Sequence, residues 1–584
     1  AIMYAIMNEE PEPITGLRAS VPRELERIVN KTLDKDISAR YQNVADMIVD
    51  LKNLIKKSEK TTQEPKTSVV VKKSGLPQNP FKWVGFILLA VLVVTGYLIL
   101  KEKPKPEKTV VQEKSAADKI FESEWKNSIA VLPFSNISAE KEQEYFCDGM
   151  TEDIITKLTH IKDLKVISRT SVMKYKRTEK SIKDIGKELA VENILEGSVR
   201  KEKNRIRVTA QLIRVTDDAH LWANNYDRNL DSIFEVQDEV SKAIAQALEV
   251  TLTPETIKTF KAGQTRNLEA YENYLKGMHI FNNKYLHTFN EADYSTAVRM
   301  LETALEIDPN YIDAHSGLVW FYVNHSRFRR TESDFNMAIK LSEKLIKLAP
   351  ESAAGYGSMA AIYIFKKQYD QAYDYLKIAI ARAPNSARFN YGIGFFYYKV
   401  GLYRRAIKYC ARAMELDPLL LHPYLTTIRS LISGGDYKKA EYYLKKAIEI
   451  YPDQTRLILL FCQLYLRIKK YSQVQEWITR LEKVSPETEN IKRWKMILYA
   501  ARGERKNALD LQYQDSMGFA LLGLKEKALA IIQENQDKDK FHYDYLYFIN
   551  NPHYNNLRDD PRFQEIVKKA EALYDAGLIK YGDL

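Results

Sequence analysis

The chain has 584 residues, room for about three or four domains, and its 45% hydrophobic content suffices for folded cores with disorder confined to linkers. The formal charge of +11 is a small excess of 88 basic over 77 acidic side chains, spread along the chain without a basic stripe, so no nucleic-acid partner is expected. Three cysteines (Cys147, Cys410, Cys462) and nine scattered histidines form no disulfide framework and no metal-ligand spacing, so no metal or cofactor is expected in this chain.

The chain opens at Ala1 inside a helix-like pattern and reads as the C-terminal part of a longer protein. Over 22–56, Leu25, Ile28, Val29 and Leu33 recur at helical spacing, followed by Val44, Met47, Ile48, Leu51 and Leu54. Two amphipathic helices of this size bury too little surface to fold alone. The stretch VPRELERIVNKTLDKDISARYQNVADMIVDLKNL resembles the last helices of the protein-kinase C-lobe in bacterial Ser/Thr kinases, with Leu33, Lys35, Asp36, Arg40 and Tyr41 matching and Ile37 at a usual proline. The resemblance implies that Arg40 is a structural residue, paired in the family with a glutamate that this chain does not contain. Without that partner a buried charge stands uncompensated, so residues 1–56 are expected to be poorly stable alone. No Gly-rich loop, strand lysine, H-R-D or D-F-G occurs in the 584 residues, so the chain carries no catalytic residue. ATP and magnesium belong to whatever kinase part precedes it. The plainer reading of 1–56 is any amphipathic helical pair.

Residues 57–82 are a polar, proline-broken linker, expected on the cytosolic side. Trp83–Leu100 (WVGFILLAVLVVTGYLIL) has eighteen uncharged residues, spanning roughly 27 Å as a helix, close to the thickness of a bilayer. With polar sequence on both sides, it reads as a single transmembrane helix rather than a core helix. A Pro-rich charged linker, 101–125, follows. The lysine count around the span favours a cytoplasmic C-terminal side. The kinase resemblance implies the reverse: an inner (cytoplasmic) membrane protein with its N-terminus cytoplasmic and its C-terminal domains periplasmic. Gly85 and Gly96 are too far apart for a GxxxG face, which leaves a homodimer open.

Residues 126–255 alternate strand and helix patterns, predicting a mixed α/β sheet covered by helices. The strands are expected at 127–134, 164–169, 192–200, 205–215 and 220–228, the helices from about Tyr145 to His160 and over Ile233–Leu248, with KEKN (201–204) as a hairpin turn. The segments IAVLPF, EYFCDGMTEDIITKL, VISRTSV, LEGSVRKE, RVTAQLI and HLWANNYDR resemble the N-terminal domain of the TolB translocation protein, which implies a fold and an envelope context but no activity. Asp148, Glu152 and Asp153 could form a carboxylate set, but as charges at a helix start they complement its dipole. Gly149 and Gly197 read as a tight turn and a strand bend. Arg169, Arg200 and Trp222 are candidates for a ligand groove that nothing orders into a site.

From 267 the chain has a period. Prolines fall at 309, 350, 384, 418, 452 and 486, the last five 34 residues apart. Twelve residues before each stands Ala297, Ala338, Ala372, Ala406, Ala440 or Val474, and an aromatic precedes that by three. This is the tetratricopeptide signature, in which small alanines let antiparallel helices approach and the proline ends the second helix. Six repeats are expected over about 267–500, with a longer loop near 283–292 and a seven-residue insertion near His325–Thr331. A degenerate seventh pair (518–533) and a cap complete 501–584.

The fold class is therefore multidomain: a kinase C-lobe helical remnant, one transmembrane helix, a TolB-like α/β domain and an all-α repeat solenoid. The family's groove positions project onto Trp320, Phe365, Arg388, Tyr391, Phe395, Tyr398, Lys399, Arg429 and Arg456, aromatics flanked by bases that suit an extended or acidic peptide. The opposing reading is that several of the aromatics simply pack between helices. Three functions compete: the sensor portion of a membrane-anchored Ser/Thr kinase, a non-catalytic membrane-tethered scaffold for envelope assembly, or the same half serving a cyclase or DNA-binding output.

Overall fold

The computed structural model describes residues 23–33, 50, 127–139, 143–161, 164–253, 265–329, 331–537 and 545–582. It divides into two compact units, 1–110 and 111–584. In the first, Arg23–Leu33 is a helix with Ile28 buried, and Arg27 reaches Asp50 at 3.3 Å. Arg40 and the span Trp83–Leu100 lie outside the described residues, among which no helix is long and apolar enough to cross a membrane.

The second unit begins with a mixed sheet. Its strands are β1 (Ser128–Val131), β2 (Ser135–Asn136), β3 (Lys165–Val166), β4 (Asn193–Glu202), β5 (Arg205–Arg214) and β6 (Ala219–Asn229). The order is β3-β1-β4-β5-β6, with β1 parallel to β3 and β4, β2 also parallel to β4, and β4, β5 and β6 antiparallel. The strict alternation of Ile206, Val208, Ala210 and Leu212 puts all four inside. Lys203, in the left-handed region at φ 50°, turns β4 into β5. Expectation and structure part at residues 164–169: only Lys165–Val166 pairs, because Arg169 opens a short helix after Ser168. A helix at Ile182–Leu189, capped by Ser181, has no counterpart in the sequence reading.

Helices Glu144–Thr159 and Ile233–Ala247 pack against the sheet and against each other. Gly149 does not make a turn. It sits within the first helix, where a Cβ would come 2.3 Å from Leu275 of the first repeat helix, Leu268–Ile280. Gly197 sits mid-strand, where a Cβ would meet the Thr209 carbonyl at 2.3 Å and the Phe134 ring at 2.4 Å. Close approach, then, is what both glycines serve. One apolar core runs without a break from Ile129 through Ile244 to Tyr271, Leu301 and Phe321, joining the α/β layer to the first repeats.

The repeats are antiparallel helix pairs. The twelve-before-proline residues Ala338, Ala372, Ala406, Ala440 and Val474 are all fully buried. First helices end in a recurring cap: Lys367, Gly401, Gly435, Lys469, Gly503 and Gly523 take positive φ, and the next amide donates back to Tyr363, Tyr397, Leu431, Tyr465, Tyr499 or Phe519 at 2.8–2.9 Å. Two details differ from expectation. Residues 281–285 continue the first helix as a π turn rather than a loop, and the insertion near 325–331 lengthens the helix Ile312–Arg329. Pairs Asn490–Ala501/Arg505–Asp510 and Ser516–Leu521/Lys525–Asp537 then extend the stack, so the pair near 518–533 is the eighth and not the seventh. Helices Tyr545–Ile549 and Pro561–Lys580 close the chain.

Candidate functional site

Most of the projected groove residues meet. The first helices Ala353–Phe365 and Ala387–Lys399 bring Phe365 to 6.3 Å from Phe395, ring to ring. Phe395 in turn lies 5.9 Å from Tyr391 and 6.4 Å from Tyr398, and Lys399 sits 5.6 Å over its ring. Trp320, 37% exposed and contributed by the helix Ile312–Arg329, lies 5.9 Å from the Arg388 guanidinium across an intervening repeat. Seven residues from three first helices thus form a half-exposed ladder, with rings and cations in one face. Arg429 is half-buried and Arg456 exposed, and neither joins a ring contact or ion pair among the described residues. His422, which stacks obliquely on Tyr391 at 5.7 Å, was missed. It occupies the same repeat position as Arg388 and Arg456, so the projection could have found it. The face offers apolar area and positive charge, the chemistry that holds an aromatic or acidic peptide segment.

The α/β domain carries no comparable constellation. Asp148, Glu152 and Asp153 do not begin a helix, since the helix starts at Glu144; they lie further along it, and each goes to a different partner. Asp148 meets Lys176 at 2.5 Å and lies 3.7 Å from His279, and these neighbours hold its carboxyl low against the effect of burial. Glu152 pairs with Arg169 at 3.3 Å. Asp153 accepts from Gln237 at 2.7 Å and from the Tyr271 hydroxyl, and burial pushes its pKa up to about 8. Nearby Asp313 is pushed up to about 7 by burial and by the charge of Glu152. Of these, Asp153 through Tyr271 and Asp148 beside His279 tie the α/β domain to the first repeat. Arg200 and Trp222 do not converge either: in the ladder Arg200 faces Arg207 while Trp222 faces Leu212, five residues on and so roughly 17 Å away. A polar pocket of about 370 Å³ over Leu132, Ser135, Tyr175, Gly197 and Gln211 gathers no acid–base pair, its Glu196 being taken by Gln211.

Among the described residues no His, Cys, Asp and Glu side chains group as a metal site. Burial raises all three thiols to about 12, which keeps them protonated.

The helical half is a tetratricopeptide-repeat solenoid: residues 387–418 and 431–495 match two models of that repeat. Residues 125–246 match the HilA/YgeH-like transcriptional regulator, second domain, a family other than the TolB domain to which the sequence reading assigned them. A putative adenylate cyclase 3 of Rhizobium meliloti (strain 1021) is 38% identical over 251 residues, 42% of this chain and 42% of that protein. Anaphase-promoting complex subunit 3 of Schizosaccharomyces pombe is 22% identical over 180 residues, 31% of this chain and 26% of that one. The chain thus spans less than half the length of either relative. Among solved structures, PilF of Pseudomonas aeruginosa aligns over 38% of this chain and 97% of its own at 18% identity and a TM-score of 0.31. PilW, a type IV pilus biogenesis factor, aligns over 37% and 98% at 16% identity and 0.31.

Proposed function

We propose that residues 125–584 are the binding half of a signalling protein, taking a protein or peptide partner on the face lined by Trp320, Phe365, Arg388, Tyr391, Phe395, Tyr398 and Lys399. The observation that carries this reading is the ladder itself: aromatic rings and cations from three repeats share one half-exposed face. In the fuller form of the proposal, Trp83–Leu100 is a single membrane span and residues 1–56 are the tail of a cytosolic Ser/Thr kinase. The binding half is then extracytoplasmic and regulates a catalytic part that holds ATP and magnesium. A second reading keeps the binding half and changes the output. It is favoured by the match to a putative adenylate cyclase and to a family named for transcriptional regulators. The sequence of the catalytic partner separates the two, because H-R-D and D-F-G motifs belong only to a kinase.

The binding claim is tested by selecting peptides from a random library on the purified chain and measuring their affinity by fluorescence anisotropy. Selected peptides are expected to weaken by about tenfold or more with Tyr391→Ala or Phe395→Ala, the loss of one aromatic anchor. Unchanged affinity in both variants refutes the groove.

A further inference from the structure

The last helix crosses the solenoid. Pro561–Lys580, 20 residues and roughly 30 Å long, is tied at its start by Arg562, which makes a two-pronged pair with Glu526 at 2.7 and 2.8 Å. Its other end reaches repeats 176 to 211 residues earlier in sequence. Lys580 pairs with Asp370 at 2.8 Å. Tyr581 is only 3% exposed, its ring packed 5.3 Å from Tyr373 and 5.2 Å from Phe396, its hydroxyl donating to Asp370 at 2.7 Å. The Tyr581 carbonyl accepts from the Arg405 guanidinium; the Gly582 carbonyl accepts from Tyr373 at 3.2 Å and also from the Tyr397 hydroxyl. Three residues are therefore read by a cation partner, an aromatic slot and donors to two successive backbone carbonyls.

A solenoid cap needs only to cover the exposed side of the terminal repeat. These contacts do something else, because they fall on helices Tyr369–Arg382, Ala387–Lys399 and Tyr403–Leu416, which already have stacked neighbours on both sides. None of the receiving residues is itself a ladder residue, although Phe396 and Tyr397 share the helix Ala387–Lys399 with the ladder and Phe395 and Tyr398 pack against the cluster that holds Tyr581. Side-chain donors aimed at main-chain carbonyls, with one buried ring between them, are how a protein holds a short linear segment.

We infer that Asp370, Tyr373, Phe396, Tyr397 and Arg405 form a second peptide site, specific for a cation–tyrosine–glycine segment and held closed in cis by Lys580–Gly582, which a partner protein carrying the same three-residue chemistry displaces. The inference does not depend on the ladder. A tethered ligand competes at an effective concentration of about millimolar, so a free peptide sees the site only when the tether is weakened.

The probe is a fluorescein-labelled peptide of residues 575–582, Asp-Ala-Gly-Leu-Ile-Lys-Tyr-Gly, added to the full chain. Saturable binding to Tyr581→Ala is expected, with at least tenfold weaker binding to the unsubstituted chain and loss of binding when Arg405→Gln or Asp370→Asn is added to Tyr581→Ala. Tyr391→Ala, a ladder change outside the cluster around Tyr581, should leave it unchanged, which separates failure of this site from failure of the ladder. If Tyr581→Ala does not fold, excess peptide with the unsubstituted chain should raise hydrogen exchange across 561–580. The inference is overturned if folded Tyr581→Ala ignores the peptide, if Arg405→Gln and Asp370→Asn do not matter, or if the excess peptide leaves that exchange unchanged. It is also overturned if the unsubstituted chain forms a dimer that Tyr581→Ala abolishes, since the tail then serves a second copy.

Discussion

Replacing Asp417 by alanine should loosen the α/β domain from the repeats without touching any ladder residue. Asp417 is fully buried at the turn before Pro418, and its carboxylate collects donors from both sides of the junction. One oxygen accepts from the Ser171 hydroxyl at 2.6 Å and the Leu419 amide at 3.2 Å; the other accepts from the Ser168 amide at 3.3 Å and the Ser168 hydroxyl. Desolvation lowers the pKa of buried Lys165 to about 8, and the negative charge of Asp417 offsets part of that lowering. Alanine strips these donors of their acceptor. An orphaned buried donor costs about 1–3 kcal/mol, but hydroxyls can turn elsewhere, so a total of about 3–5 kcal/mol is reasonable. At about 1.4 kcal/mol per decade, that is at least roughly a hundredfold in local opening. Hydrogen exchange read by mass spectrometry should show 168–176 and 414–420 exchanging faster by about that factor, while the distant pair Ser516–Leu521/Lys525–Asp537 is unchanged. Asp417→Asn should fall between, because its amide keeps one acceptor oxygen. Exchange within threefold of the unsubstituted chain in Asp417→Ala would refute the account.

Two further substitutions probe the same junction from the α/β side. Asp153 has a folded-state pKa of about 8, above the ~3.9 of an unfolded aspartate, so the folded chain keeps a proton that the unfolded chain releases. Stability contributed here is therefore lost as pH rises from about 4 to about 8, and Asp153→Asn should gain melting temperature over the unsubstituted chain between pH 5 and pH 9; a constant gap would show that Asp153 does not titrate in that window. Gly149→Ala should destabilise by about 1–3 kcal/mol, because the new Cβ stands 2.3 Å from Leu275, and adding Leu275→Ala should recover part of the loss in a double-mutant cycle measured by thermal unfolding. Strictly additive losses would mean that the two residues do not compete for the same space.

The solenoid was legible because its signals are local and repeated. Proline, alanine and tyrosine at fixed offsets each answer to a physical need within one repeat: Pro418 ends a helix, Ala406 lets two helices touch, and the buried Tyr397 ring stacks on Tyr409 of the paired helix at 5.6 Å. The ladder followed from the same register, which places Phe365, Tyr391 and Phe395 and also holds His422, 34 residues after Arg388. What stayed hidden is non-local. A glycine such as Gly149 inside an acidic helix carries no sequence sign that a leucine 126 residues later will press against it. Asp148 and Asp153 looked like solvated helix charges because the partners that bury them, Lys176, His279 and Tyr271, come from other elements. The helix Ile182–Leu189 is short, and the tail socket joins residues 176–211 positions apart.

Those non-local ties bear on the ladder itself. In a solenoid each repeat touches only its neighbours, so curvature accumulates small angles and is soft over several repeats. Here two sets of contacts bypass the stacking. The α/β domain grips the first repeat through Lys201 and Glu272 at 2.5 Å, and it also grips the turns near Asp417 and Tyr451, the latter through Lys174 at 3.5 Å from the ring. The closing helix ties Glu526 to Asp370 and Arg405. Both sets span the helix Ala387–Lys399, which carries Arg388, Tyr391 and Phe395 at the centre of the ladder. The distance between Trp320 and Arg388, two repeats apart, is therefore held from outside as well as by stacking. A partner that fits the ladder meets a surface whose spacing has already been set, and ordering that would otherwise oppose binding has been done during folding. Loosening either tie through Asp417 or Tyr581 acts on the ladder through that spacing.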